Sequence, residues 1–203
     1  LALARVCAER IYMGKPVGKH DSRQAEIHEL LVRKAHEGKV VVRLKGGDPF
    51  LFGRGGEEAE FLAEHDVPFE VIPGVSSALA APLSAGIAVT HRDAASSVAI
   101  VTGHEATKDT SRVDWDALSK LDTLVFLMGV KNIAQIVEEL IKNGKAPETP
   151  AALIRWGTTP QQEIITGTLD NIAELAQKRN FSPPAILIAG KVVDMHRTLS
   201  WFE

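Results

Sequence analysis

The segment Lys45-Gly46-Gly47-Asp48-Pro49-Phe50 sets an acid beside backbone that no side chain shields. Gly46 and Gly47 leave N–H and C=O groups open to a ligand. Asp48 offers an acceptor for an amine or hydroxyl, and Pro49 stiffens the exit. Downstream, Arg54 lies between Gly53 and Gly55. A guanidinium fork there suits a carboxylate or phosphate, and a solvated surface arginine fits the local sequence equally well. Glu57 is placed to orient Arg54, and it serves equally as a first-turn helix acid. Arg92, in Thr90-His91-Arg92-Asp93, is a second candidate anion clamp; His91 reads as a hydrogen-bonded loop histidine. Lys15 falls between a strand end and a helix cap, where it donates a proton, holds an anion or is a plain loop lysine. Met128 closes an apolar run, where methionine packs a core or walls an apolar ligand pocket. Neither phosphate-loop motif is present, because no Gly-Lys-Ser/Thr follows the first glycine pair and Gly53-Arg54-Gly55-Gly56 lacks the dinucleotide spacing.

These residues need elements to hold them. A helix is expected over 22–37, with Asp21 as N-cap, Ile27, Leu30 and Leu31 on one face, and Gly38 as the stop. Val40–Leu44 is a continuous apolar run, read as a strand buried on both faces. A helix over 57–65 and a strand over 69–74 follow, and Ser76 caps a helix of small residues. Residues 1–15 read as the tail of a helix and a short strand. Further strands are expected at 98–102, 123–128, 151–155, 162–166 and 185–189, and helices at 113–120, 131–143 and 168–178. This alternation implies an α/β protein with largely parallel pairing. It divides into two α/β domains, 1–92 and 97–203, at the polar stretch 91–97. Six strands end at glycine: Gly46, Gly74, Gly103, Gly129, Gly157 and Gly190. Ligands of open α/β sheets bind outside the carboxyl ends of the strands, so six such glycines point to a cleft lined by backbone.

Composition narrows the function. The net charge is −3 over 203 residues, which gives no electrostatic footprint for nucleic acid or a membrane surface. The single cysteine, Cys7, excludes an internal disulfide and fits a reducing, cytoplasmic compartment. The seven histidines include no His-x-x-x-His pair, so no metal site is expected. The apolar run Val75–Val89 is broken by serines, Pro82 and Gly86, and no signal peptide is visible. Trp115, Trp156 and Trp201 are scattered and form no stacking platform.

At Val41–Glu58, "VVRLKGGDPFLFGRGGEE", the sequence resembles the tetrapyrrole methylase family. The likeness continues through "GKPVGKH", "VIPGVSSALAAPLSAGIAVTHRD", "VTGH", "TLVFLMGV", "WGTTPQQ" and "AILIAGKVV", in the family's order and over nearly the whole chain. It implies two α/β domains with S-adenosyl-L-methionine held in a cleft between them. It implies successive methylation of two ring carbons of uroporphyrinogen III to precorrin-2, releasing S-adenosyl-L-homocysteine, in a cytoplasmic homodimer. The product would serve sirohaem, cobalamin or haem d1 synthesis. Carried over residue by residue, the cofactor contacts are Gly46, Gly47, Asp48, Leu51, Ser76, Ser77, Met128 and Gly157. The match at "GKPVGKH" places the family's proposed proton donor at Lys15. Arg54 and Arg92 would clamp the carboxylates of the substrate, with Glu57 orienting the clamp. The family pattern also includes a strand, a "GxGPGDP"-like loop and a "YDRLVS"-like segment with the proton-accepting aspartate, roughly forty residues that would precede Leu1. Alternative readings are a methylase acting later in corrin synthesis, a methylase of this fold acting on RNA or protein, and a non-catalytic binding module.

Overall fold

In the computed structural model, which describes residues 4–14, 20–104 and 112–202, five apolar runs form one sheet. They are β1 (Val98–Thr102), β2 (Thr123–Leu127), β3 (Pro150–Arg155), β4 (Glu163–Thr168) and β5 (Ala185–Ala189), in the spatial order β1-β2-β5-β3-β4. The expected strands are therefore present in this half, but the expected parallel pairing holds only for β1 with β2. β5 runs antiparallel to both β2 and β3, and β3 runs antiparallel to β4. The reason is the order of the strands. β2 and β3 point the same way, as a strand-helix-strand unit requires. β5 enters between them pointing the other way, and alternation along the chain carries no information on that insertion.

The helices of this half follow their apolar spacing. α5 (Ile133–Lys142) buries Ile133, Ile136, Val137 and Leu140, and α6 (Leu169–Lys178) buries Leu169, Ile172 and Ala176. Both stripes close on Leu124, Phe126, Leu153 and Leu187 of the sheet to make one core. The short α4 (Trp115–Ser119) is capped by Asp114, whose Oδ1 accepts from Ala117 N at 3.0 Å. α3 (Ser77–Ser84) packs on β2 and β5, and Ser76 Oγ caps it by accepting from Ala78 N at 3.2 Å. A four-residue helix, α7 (His196–Leu199), ends this half; His196 Nδ1 lies 2.6 Å from Ala85 O.

The chain separates into two compact units, Leu1–Gly74 and Val75–Glu203. The stretch 91–97 lies inside the second. There Asp122 accepts from the backbone N–H and hydroxyl of both Ser96 and Ser97, at 2.9 to 3.1 Å, and fastens the start of β1 to that of β2.

The first unit holds α1 (His20–His36) and α2 (Gly55–Glu64). α1 begins before Asp21, so Asp21 is a first-turn residue rather than the cap; Gln24, Ile27 and Leu31 form its buried stripe. Two sequence expectations fail here. Residues 40–44 and 69–74 belong to no strand ladder, and residues 4–14 contain neither helix nor strand. Val40, Val42 and Leu44 are exposed, where burial on both faces was expected, and Ile72 is exposed as well. An apolar run becomes a buried strand only when a neighbouring strand pairs with it, and none does among the described residues.

Candidate functional site

In the first unit the glycines divide by what surrounds them. Gly53 and Gly55 wrap the carbonyl of Pro49: a Cβ would lie 2.7 Å from Pro49 O at Gly53 and 2.4 Å at Gly55, whose N–H donates to the same oxygen at 3.0 Å. These two serve a tight coil and not a ligand. Gly74 is packed as closely, with a Cβ position 2.3 Å from Gly47 O. Gly47 takes φ +72°, a left-handed conformation that favours glycine. At Gly46 a Cβ would meet nothing within 4 Å. Nothing in the fold demands glycine there, so Gly46 leaves open space beside the 46–48 turn.

Asp48 braces this turn. Its Oδ1 accepts from Phe50 N at 2.9 Å and its Oδ2 from Gly74 N at 3.2 Å. The Phe50 amide, then the Gly74 amide, hold its carboxyl below the usual range. The turn after residues 40–45 and the turn after residues 69–73 are thus joined through one side chain. Leu51 follows in the same loop, half-buried.

Arg54 sits at the N-cap of α2 with φ +58°, an uncommon conformation for a residue other than glycine. Its Nε donates to Glu57 Oε1 at 2.9 Å and its Nη2 to Glu57 Oε2 at 2.7 Å. The expected pairing is therefore a two-pronged fork. Arg92 is exposed and belongs to the second unit, in a turn closed by His91 and Ala95. Lys15 lies outside the described residues.

In the second unit β1, β2 and β3 run in one direction, so Gly103, Gly129 and Gly157 share one edge of the sheet. Gly190 does not join them. β5 runs the other way, and the Cβ position of Gly190 lies 2.3 Å from Asp122 O, at the start of β2. At the shared edge two large side chains leave their strands with left-handed backbone: Met128 (φ +56°) after β2 and Trp156 (φ +50°) after β3. They are 45% and 49% exposed respectively. Such conformations persist only where neighbours fix them, and they concentrate at functional sites. Trp156 is held by its N–H to Pro184 O at 3.3 Å and by Thr159 N and Oγ1 on its carbonyl, at 3.2 and 2.7 Å. Gly157 rests on α3, where a Cβ would lie 2.6 Å from Ala81 Cβ. Ser76 and Ser77 open that helix.

The family description "Tetrapyrrole (Corrin/Porphyrin) Methylases" matches residues 2–173. The chain belongs to the tetrapyrrole methylase family. An S-adenosyl-L-methionine-dependent uroporphyrinogen III methyltransferase from Methanosarcina barkeri is 55% identical over 194 residues, covering 95% of this methylase and 76% of the relative. A uroporphyrinogen-III C-methyltransferase from Bacillus subtilis is 50% identical over 204 residues, covering 100% of this chain and 79% of that one. Among solved structures, a uroporphyrin-III C-methyl transferase from Thermus thermophilus complexed with S-adenyl homocysteine superposes with a TM-score of 0.77. It is 40% identical and is matched over 93% of this methylase and 79% of its own chain.

Three residues of this methylase escaped the sequence reading. Glu58 is 5% exposed and collects Lys45, Arg43 and Gln24. The signal was available: Arg43 and Lys45 alternate along an extended run, which puts two cations on one face. Gln162 ties the loop after β3 to α3; its Oε1 accepts from Thr158 N at 2.9 Å and from Ser84 Oγ at 2.5 Å. For that contact between distant residues the sequence carried no signal. Trp156 differs from the other two tryptophans in place and conformation. Trp115 stacks near Phe126 and Trp201 donates to Leu83 O. Among the described residues no cluster of three or more His, Cys, Asp or Glu is arranged to hold a metal ion, and no helix is long and apolar enough to cross a membrane.

Proposed function

We propose that this methylase transfers methyl groups from S-adenosyl-L-methionine to uroporphyrinogen III, twice in succession, giving precorrin-2 and S-adenosyl-L-homocysteine. The observation that carries this reading is the 55% identity to the Methanosarcina barkeri enzyme over 95% of the chain, which takes in both glycine-rich turns. The cofactor supplies an electrophilic methyl group on a sulfonium. The residues fit such a ligand: Gly46 leaves open space, Gly47 turns the backbone left-handed, and Met128 and Trp156 offer exposed apolar side chains. Gly46, Gly47, Asp48, Leu51, Ser76, Ser77, Met128 and Gly157 are the residues we assign to the cofactor.

The work left to the protein is alignment, since reacting atoms must be held roughly 3–3.5 Å apart before attack. Arg54, fixed by Glu57, and Arg92 take the carboxylates of the substrate, and Lys15 supplies a proton. The net charge of −3 supports a small-molecule substrate over nucleic acid. Family likeness supports a cytoplasmic homodimer serving sirohaem or cobalamin synthesis. The test is calorimetric titration with S-adenosyl-L-homocysteine, followed by transfer of labelled methyl groups to uroporphyrinogen III. Micromolar binding and two methyl groups per tetrapyrrole are expected. Binding without methyl transfer would leave a non-catalytic binding module as the correct reading.

A further inference from the structure

We propose that Glu58 is a positioning residue for cofactor binding: it anchors the segment 40–45 and so fixes the Gly46–Asp48 turn. The proposal rests on the assignment of that turn to the cofactor.

A turn that binds a ligand through its backbone needs a rigid approach. In most α/β proteins the ladder hydrogen bonds of the preceding strand supply it. The last residue before the turn, Lys45, is held by its side chain as well, which is 11% exposed. The hold comes from α2. Glu58 Oε2 accepts from Lys45 Nζ at 2.8 Å, and Glu58 Oε1 accepts from Arg43 Nε at 3.2 Å and from Gln24 Nε2 at 3.1 Å. Arg43 and Lys45 are two residues apart and both reach the same carboxylate. Gln24 in turn donates to His28 Nε2 at 3.0 Å, and His28 stacks on Phe61 with ring centroids 4.9 Å apart. Glu58 thereby joins segment 40–45 to both helices of the unit.

A carboxylate this buried is costly unless it is paired and hydrogen-bonded. Burial pushes its carboxyl up, and Lys45, Gln24 and Arg43 outweigh burial and hold it below the ordinary range. The adjacent Glu57 faces Arg54 instead. Two successive acids therefore have separate tasks, one toward the half-buried Arg54 and one toward the approach to the turn. The anchored residue, Lys45, directly precedes Gly46, and Asp48 carries the constraint on to Gly74.

The test uses the full chain with Glu58→Gln and, separately, Lys45→Met, which removes the tie to the turn but leaves Arg43 and Gln24 on the carboxylate. Two readouts are taken: amide hydrogen exchange at Gly46 and Gly47, and affinity for S-adenosyl-L-homocysteine. In both variants exchange should quicken and affinity should fall about tenfold, with KM for S-adenosyl-L-methionine rising while KM for uroporphyrinogen III stays within about twofold. Glu58→Asp should recover part of the affinity. If Glu58→Gln does not fold, Lys45→Met decides alone. Unchanged exchange, or quickened exchange with wild-type affinity, overturns the proposal, as does an equal rise in both KM values. If the wild-type chain fails to bind the cofactor product while exchange still quickens in the variants, the anchor stands and the cofactor assignment of the turn falls.

Discussion

Replacing Gly157 with alanine probes how tightly the exit of β3 is seated on α3. The new Cβ would lie 2.6 Å from Ala81 Cβ, 3.0 Å from Ala81 Cα and 3.4 Å from Ile154 Cγ2. Carbon atoms pack at roughly 3.5–4.0 Å, so the loop or the helix must move. Gly157 is not among the glycines with positive φ, and alanine there adds no backbone strain. The cost is steric, in the overpacking range of about 1–3 kcal/mol. The upper half of that range is expected, because the obstructing atoms belong to a buried helical residue, Ala81, 6% exposed. Ala81→Gly removes the atom at 2.6 Å and leaves the Cα at 3.0 Å, so it relieves the clash in part. Alone it should cost about 1 kcal/mol, the penalty of glycine inside a helix. The double variant should then be about 1–2 kcal/mol more stable than the sum of the two singles predicts, an excess typical of residues in contact. Urea unfolding at unchanged m measures all three. Additivity within about 0.5 kcal/mol would refute the contact and, with it, the seating of Gly157 on α3.

Arg54→Ala should lower kcat/KM for uroporphyrinogen III roughly tenfold or more, as loss of a two-pronged carboxylate contact does, without weakening S-adenosyl-L-homocysteine; Glu57→Ala should act in the same direction and less. Wild-type kinetics in the arginine variant would remove it from the substrate clamp. Asp48→Ala frees both the Phe50 and Gly74 amides, and should quicken hydrogen exchange at Gly74 and weaken cofactor binding; an unchanged Gly74 would show that the brace is idle. Glu58 has a carboxyl lowered from its ordinary 4.5, so its contribution to stability is present above that pH and is lost as pH falls through the lower folded value. The stability gap between wild type and Glu58→Gln should therefore narrow on acidification below pH 4.5; a constant gap would mean that Glu58 is not held as a carboxylate.

What the sequence disclosed depended on how local the cause was. β1 and β5 coincide with their expected spans, because β-branched runs ended by glycine need only nearby information. Ser76 as a cap and the amphipathic stripes of α5 and α6 are legible for the same reason. The direction of β5 is not, since it follows from insertion between β2 and β3. That one fact sent Gly190 to the far edge and spoiled the reading of six equivalent glycines. Val40–Leu44 failed differently: the apolar run describes a preference for a buried strand, and pairing partners decide whether the preference is met. Arg54 and Glu57 were found because a three-residue separation on a helix start brings side chains together. Glu58, next to them, was missed because its partners lie 13 to 34 residues away.

The two ends of the strands in the sheet differ in how their glycines are occupied. At the edge where β2 begins, backbone and side chains are mutually occupied: Asp122 takes four hydrogen bonds from Ser96 and Ser97, and Gly190 lies against its carbonyl. A substitution there can only unfold or loosen the protein. At the opposite edge Met128 and Trp156 are half-exposed in conformations their residue types resist, and hydrogen bonds from Thr159 maintain the one at Trp156. Such conformations concentrate at functional sites, which supports the cofactor assignment proposed for Met128 and Gly157. The same criterion separates the glycines of the first unit. Gly53, Gly55 and Gly74 are filled by neighbouring backbone, so their identity follows from the fold alone. Gly46 has space and no neighbour, so under the proposed cofactor assignment an alanine at Gly46 should cost cofactor affinity while leaving stability unchanged.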